Sequence, residues 1–383
     1  MFTLAELDNV IPLVRAIVPP TPQYAWPLLK ALTGVEIVVK HENHTPIGAF
    51  KLRGGIVYFD RLNRARPQVQ GIVTATRGNH GQSLAFAGTH AGIAVTIVVP
   101  HGNSTEKNAA MRAFGAELIE HGRDFDEAKE AAIRIATERG LEYAPSFHRD
   151  FVIGVATYAH ELFSAVDNLD TVYVPIGLGS GICGMIGTRD ALGLKIKIVG
   201  VVAEAANAYL RSFTAGRGVV TNSALTFADG MAVRVPDPTA LEVIRKGAER
   251  IVQVSEDEIA EAIRSIYSAT HNCAEGAGAA GVGSTDQGAR SAARATCSRH
   301  PNWTEHRSHM DADRAGGRNA QSLLTDPLQS NGTGPLAYCK ASARSHGADL
   351  PGLHSISHLA PSISPAAAAR NPRPAHTVRS NSL

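Results

Sequence analysis

A chain of 383 residues, 44% hydrophobic and 19% charged, can bury a sizeable core and has room for two ordinary domains. Its net charge of +2 carries no strong basic or acidic balance, which gives no reason to expect nucleic acid or a membrane surface as partner. No long uncharged apolar span and no charged-then-apolar leader is visible, and Cys183, Cys273, Cys297 and Cys339 lack metal-type spacing, so we expect a protein of the reducing cytoplasm.

The first stretch with chemical content is TPIGAFKLRGG (45–55), where one lysine, Lys51, stands among small and apolar residues. A buried lysine loses hydration and its pKa falls, so such a residue either reaches back to water or works as an amine. GIVTAT (71–76) then predicts a buried strand and NHGQSLAFAGTHAG (79–92) a helix. IAVTIVVP (93–100) predicts a strand, STEKNAAMRAFG a helix and AELIEHG a further strand. Asp124 and Glu127 have capping-box spacing before the helix FDEAKEAAIRIATERG. Strands follow at 171–177, 195–204 and 250–255, and Ser255 and Glu258 offer a second capping box before DEIAEAIRSIYSATH. This alternation predicts an α/β fold with a mainly parallel sheet.

Three glycine-bearing loops punctuate the pattern. TRGNHGQ (76–82) lies between a strand and a helix. We expect Gly78 to permit a sharp turn, the amides after it to favour an anion, and Asn79 to add a donor. PIGLGSGICG (175–184) alternates Gly177, Gly179 and Gly181 after a strand, which suits backbone N–H groups approaching a phosphate. With Glu204 at the end of a later strand, it also loosely fits a nicotinamide-dinucleotide site, a reading that leaves Lys51 unexplained. EGAGAAG (275–281) predicts a small-residue helix packed closely on a flat neighbour. An amine, an anion loop with an asparagine and a phosphate-type glycine loop together suit pyridoxal 5'-phosphate.

HENHTPIGAFKLRGG, TATRGNHGQSLAFAG, VPIGLGSG, TFADGMAV and AEGAGAAG follow one another in the order and spacing of the threonine/serine dehydratase family, which the chain resembles from about residue 20 to about residue 280. These are fold-type-II pyridoxal-phosphate enzymes, similar also to serine racemase and to the hydroxyaspartate and hydroxyectoine-utilisation dehydratases. The resemblance implies two parallel-sheet domains of the tryptophan synthase β type with the cofactor in the cleft. A larger domain would comprise 1–48 and 149–283, and a smaller one 49–148. It implies that Lys51 is the Schiff-base lysine and catalytic base, and that Phe50 lies beside the cofactor ring. Asn79 would bond the phenolic oxygen, and Gly177, Leu178, Gly179, Ser180 and Gly181 would cradle the phosphate. Thr76, Arg77, Gly78, Asn79 and His80 would receive the substrate carboxylate, and Asp229, Gly230 and Met231 would line the cofactor's other side. Implied too are a homo-oligomer and a small amino-acid substrate.

The chain also departs from the family pattern. Ile47 and Ala49 stand where Thr or Ser and Ser are usual. Arg77 occupies the place of the racemase acid/base serine, which implies elimination rather than racemisation. The divalent-cation run reads Glu204, Ala208, Leu210, short of one oxygen ligand, so no metal is expected. After Gly281 no Ser/Cys/Thr-Gly-Gly-Asn turn follows, and 284–383 shows neither helical nor strand periodicity. We read that segment as a shifted coding frame, with an ordinary disordered tail as the alternative. The expected activity is conversion of L-threonine or L-serine to a 2-keto acid and ammonia. The rivals are a 3-hydroxyaspartate or hydroxyectoine-pathway dehydratase, a nicotinamide-dependent oxidoreductase, and a catalytically impaired remnant.

Overall fold

The computed structural model describes residues 1–284. The expectations for the segment after it, and for the missing glycine turn, lie outside the described residues. Helix α1 (Leu4–Arg15) starts with a full capping box. The Thr3 hydroxyl accepts from the Glu6 N–H, and the Glu6 carboxylate accepts from the Thr3 N–H at 2.8 Å. Its inner face buries Leu7, Val10, Ile11 and Val14. Strand β1 (Gln23–Ala25) pairs antiparallel with β2 (Val38–Lys40), with α2 (Pro27–Thr33) between them. Then α3 (Lys51–Ala65) enters the core with Leu52, Ile56, Val57 and Phe59 all buried. Each such side chain contributes about 1.5–3 kcal/mol.

The next section builds one parallel sheet from β3 (Gly71–Ala75), α4 (Asn79–Ala91), β4 (Ala94–Val99), α5 (Thr105–Ala113), β5 (Glu117–Glu120), α6 (Phe125–Arg139) and β6 (Glu142–Tyr143). The strand order is β5-β4-β3-β6. All five residues of β3 are buried, as the unbroken apolar run requires for a strand covered on both faces. Helix α7 (Arg149–Ala165) follows. A second parallel sheet, of order β7-β8-β9, comes from β7 (Thr171–Pro175), α8 (Ser180–Ala191), β8 (Lys197–Ala203), α9 (Ala208–Ala215), α10 (Pro238–Gly247) and β9 (Arg250–Val254). Helix α11 (Glu256–Thr270) and a helix over 276–284, α12, complete the described chain.

Both capping-box expectations can be checked. At α11 the Ser255 hydroxyl accepts from the Glu258 N–H and the Glu258 carboxylate accepts from the Ser255 N–H. At α6 only half of the device forms. Asp124 accepts from the N–H groups of Asp126 and Glu127, but the Glu127 carboxylate accepts from the N–H and the guanidinium of Arg123. A charged partner one residue upstream outcompetes a backbone amide.

Close helix packing places the lysine-bearing helix. A Cβ on Gly54 of α3 would lie 2.8 Å from the Phe151 carbonyl oxygen of α7, and a Cβ on Gly154 of α7 would overlap the Arg53 carbonyl oxygen of α3. On its other side α3 meets α4 through Gly55, whose Cβ would collide with the Ser83 hydroxyl. The two sheets present the C-terminal ends of β3 and β7 to the loops at 76–78 and 176–179, the end of a parallel strand where ligand sites form.

Candidate active site

Lys51 is the first residue of α3, with Phe50 as its N-cap and no side-chain capping bond. The loop before it is fixed locally: the Thr45 hydroxyl accepts from the Ala49 N–H and donates to the Ala49 carbonyl, both at 2.9 Å. The Ser83 hydroxyl of α4 donates to the Lys51 carbonyl at 2.8 Å. Lys51 as a residue is half-buried, and its amine is enclosed, with no anionic partner in contact. Burial pulls its pKa from the usual 10.5 down to about 8, with the negative charge of Glu275 opposing the shift. The ammonium lies 5.1 Å from the centroid of the Phe50 ring.

Phe50 links the lysine to the glycine loop. A Cβ on Gly181 would sit 3.4 Å from the Phe50 ring and 3.6 Å from the Tyr158 hydroxyl. Tyr158, on α7, packs on Phe50 at 5.7 Å and donates to the Gly181 carbonyl. At the loop's other side the Tyr209 hydroxyl of α9 donates to the Leu178 carbonyl at 3.0 Å and accepts from the Asp237 N–H at 3.0 Å. The glycines here have separate reasons. Gly179 adopts φ +103°, a left-handed conformation that a side chain resists. Gly177 lies against the Gly230 carbonyl oxygen, leaving no room for a Cβ. Gly179 is the N-cap of α8 and supplies no side-chain cap, so the first N–H groups of that helix, starting at Ser180, have no side-chain acceptor among the described residues.

The third wall comes from the loop after β3. Thr76 is buried, and its hydroxyl accepts from the Gly78 N–H at 3.1 Å. At Gly78 a Cβ would lie 2.8 Å from Cδ of Lys107, a flexible side chain that could shift aside. The Asn79 amide donates to Glu275 Oε1 at 2.6 Å. His80 Nε2 is buried without a hydrogen-bond partner, and burial together with the nearby Lys51 charge takes its pKa from 6.5 down to about 3. The imidazole is therefore neutral at physiological pH. Arg77 Nε is likewise buried and unpartnered.

Thus Lys51, Phe50, the glycine loop, Gly230 and the 76–80 loop meet at one place. Four residues that the motifs did not assign to the site join them. Glu275 bonds Asn79 and lies within electrostatic reach of Lys51. Lys107 of α5 bridges Asp229 and Glu275 at 3.3 and 3.4 Å. Tyr158 and Tyr209 hold the glycine loop. Glu275 stood in a quoted motif and signalled only tight packing; Lys107 and the tyrosines carry no local signal, because the fold brings them in from other elements. Glu204, expected near a dinucleotide or cation, is exposed in a short turn after β8. Among the described residues, no group of three or more His, Cys, Asp or Glu could hold a metal.

A model of the pyridoxal-phosphate dependent enzymes matches residues 14–296. The chain belongs to this family. It is 34% identical to the L-threonine ammonia-lyase of Thermotoga maritima over 74% of this chain and 70% of that protein. It is 31% identical to the biosynthetic L-threonine dehydratase of Pasteurella multocida over 68% of this chain and 50% of that protein, so it spans only half the length of that relative. Among solved structures it resembles the processed form of threonine deaminase isoform 2 from Solanum lycopersicum, with a TM-score of 0.68 and 28% identity over 74% of this chain and 85% of that one. The fold is that of the fold-type-II enzymes and the cofactor is pyridoxal phosphate, which rules out the nicotinamide reading.

The residues present fit that cofactor. Gly177 has no room for a Cβ beside the Gly230 carbonyl oxygen, uncapped helical N–H groups follow at 180–181, and an amine of lowered pKa lies on the other side of Phe50. No helix among the described residues is long and apolar enough to cross a membrane.

Proposed function

We propose that the protein is a dehydratase that converts a β-hydroxy amino acid, L-threonine or L-serine, to a 2-keto acid and ammonia. The observation that carries this reading is the enclosed Lys51 amine, with pKa about 8, opposite the glycine loop and beside Asn79 and His80. Similarity to the threonine ammonia-lyases supports it.

When bound, pyridoxal phosphate supplies an electrophilic carbonyl and an electron sink for a carbanion at Cα. Lys51 would hold it covalently. The backbone N–H groups of Gly177, Leu178, Gly179, Ser180 and Gly181 would hold its phosphate at the start of α8. Phe50 would flank the ring, Asn79 would bond its phenolic oxygen, and Gly230 with Asp229 and Met231 would close the other side. The N–H groups and Thr76 hydroxyl of the 76–80 loop would take the substrate carboxylate. The Lys51 amine would remove the Cα proton of the substrate. A pKa of about 8 leaves a useful fraction neutral near neutral pH, whereas an ordinary lysine at 10.5 would be almost wholly protonated. Neutral His80 adds no second positive charge beside that amine. The β-hydroxyl would leave as water, balancing the proton that Lys51 takes from Cα, and a water would then hydrolyse the released enamine to the 2-keto acid and ammonia.

One feature favours a second substrate class. Arg77 has no hydrogen-bond or ion-pair partner among the described residues, and its Nε is buried. An uncompensated guanidinium beside the substrate loop suits a second carboxylate, as in 3-hydroxyaspartate. We further propose that the chain works in the cytoplasm as a homo-oligomer, with 49–148 as the smaller domain. The test is keto-acid release from L-threonine, L-serine and 3-hydroxyaspartate, with borohydride trapping and peptide mapping. Label on Lys51 and keto acid from threonine are expected. Label on another lysine would overturn the assignment, and label on Lys51 without turnover would favour the impaired remnant.

A further inference from the structure

Two residues beyond Lys51 on α3 lies a closed ionic network that the proposed chemistry does not use. Arg53 is fully buried and every N–H of its guanidinium is bonded. Nε and Nη2 donate to the two oxygens of Glu42 at 2.8 and 3.0 Å. Nη1 and Nη2 donate to the two oxygens of Glu161 at 2.7 and 2.9 Å, and Nη1 also reaches the Thr157 hydroxyl at 3.2 Å. Lys40 is equally satisfied, donating to Glu161 Oε2 at 2.7 Å, the Thr21 carbonyl at 2.7 Å and Gln23 Oε1 at 3.1 Å. Thr21 closes the ring by donating its hydroxyl to Glu42 and its N–H to Glu161. Two cations face two anions.

Helix stability does not call for this arrangement. A cation in the first turn opposes the helix dipole. A buried ion pair is often no more stabilising than apolar side chains of the same volume. What the network does achieve is positional. It joins the first turn of α3 to α7 through Glu161 and Thr157, and to the turn before the Lys51 loop through Glu42. Because α3 has no side-chain N-cap, this double fork, the Ser83 bond and the Thr45 lock are what fix the turn that carries Lys51.

We propose that Arg53, held by Glu42 and Glu161 and backed by Lys40, is the positioning residue of the Lys51 amine, setting how deeply that amine lies in the site. This rests on Lys51 being the reactive amine. The charged and titratable groups that face Lys51 from other elements are His80 on α4 and Glu275 before α12, the latter paired with Lys107 of α5, which also meets Asp229. None of them contacts Arg53, so an anchor variant leaves them in place.

The test uses the full chain carrying Arg53→Lys, which keeps the charge and loses the double fork, and Thr157→Val, which removes the bond from Arg53 Nη1 together with the hydroxyl's own bond to the Gly154 carbonyl. The cofactor is stripped, and trace acetylation of Lys51 is followed against pH, with exposed Lys129 as the internal reference. Cofactor affinity is read by absorbance titration. A loosened anchor lets the amine reach water. We expect the Arg53→Lys labelling midpoint to rise from about 8 toward that of Lys129 by about one pH unit or more, with cofactor affinity about tenfold or more weaker and the circular dichroism spectrum unchanged. Thr157→Val should move both in the same direction by less. A lower melting temperature with the midpoint unmoved would overturn the proposal and leave Arg53 a structural residue. If Arg53→Lys does not fold, the direction of the Thr157→Val midpoint decides. Loss of the labelling contrast in the parent itself would instead sink the reading of Lys51.

Discussion

Two cations open the same helix, two residues apart, and burial has opposite consequences for them. Arg53 has a partner for every N–H, and its carboxylates raise its pKa against the desolvation that would lower it. Lys51 has none in contact, and desolvation brings it down to about 8. The lesson is that enclosure alone does not mark a reactive group. A buried charge with a complete set of partners is held in place, and one left without them is ready to give up its proton.

The largest effect should come from the unpartnered member. Lys51→Ala should reduce keto-acid formation by about a thousandfold or more while the stripped protein melts no lower than the parent, since the variant removes an uncompensated charge. Turnover within tenfold of the parent would break the contrast at its root. The partnered member should behave in the opposite way. Arg53→Met takes the guanidinium from half-buried Glu42 and leaves buried Glu161 with Lys40 as its one cation, and should cost about 3–5 kcal/mol of stability by denaturant melts. A loss under about 1 kcal/mol would show the network to be dispensable.

A pH titration sharpens the same comparison. In the folded protein Lys51 releases its proton near pH 8, and in the unfolded chain near 10.5. Between those values the unfolded state binds more protons, so stability must rise with pH through that window, and the penalty is constant below it. The stripped protein should gain about 1–2 kcal/mol between about pH 7.5 and about pH 9.5, and Lys51→Met should abolish the gain. Urea midpoints at fixed ionic strength check it. The smallest effect belongs to a third cation, Arg77. Arg77→Ala should leave threonine turnover within about threefold and weaken 3-hydroxyaspartate turnover about tenfold or more. Equal losses on both substrates would remove the second-carboxylate reading.

The strand-and-helix alternation from residue 71 onward was legible because each element there carries its own period and punctuation. Helix α6 ends within a residue of its sequence reading, and the Ser255–Glu258 box forms as its spacing says. The site was legible at Lys51, Asn79 and the glycine loop, where chemistry dictates residue type over a few consecutive positions. What escaped the reading depends on distant partners. Helix α7 has polar residues such as Thr157 and Glu161 on a buried face, and the approach of Arg53 and Lys40 from distant elements explains them. Glu275 and Lys107 meet across 168 positions of chain, and neither advertises the other locally.

The facing glycines of α3 and α7 restrict how this protein can change. At Gly54 the obstacle is the Phe151 backbone, and at Gly154 it is the Arg53 backbone. A mutation at either position cannot be rescued by trimming a neighbouring side chain, because the obstruction is main chain and both residues are already the smallest available. The two helices would have to move apart, which would carry Lys51 away from the glycine loop. Sequence drift at this crossing is therefore closed at both positions.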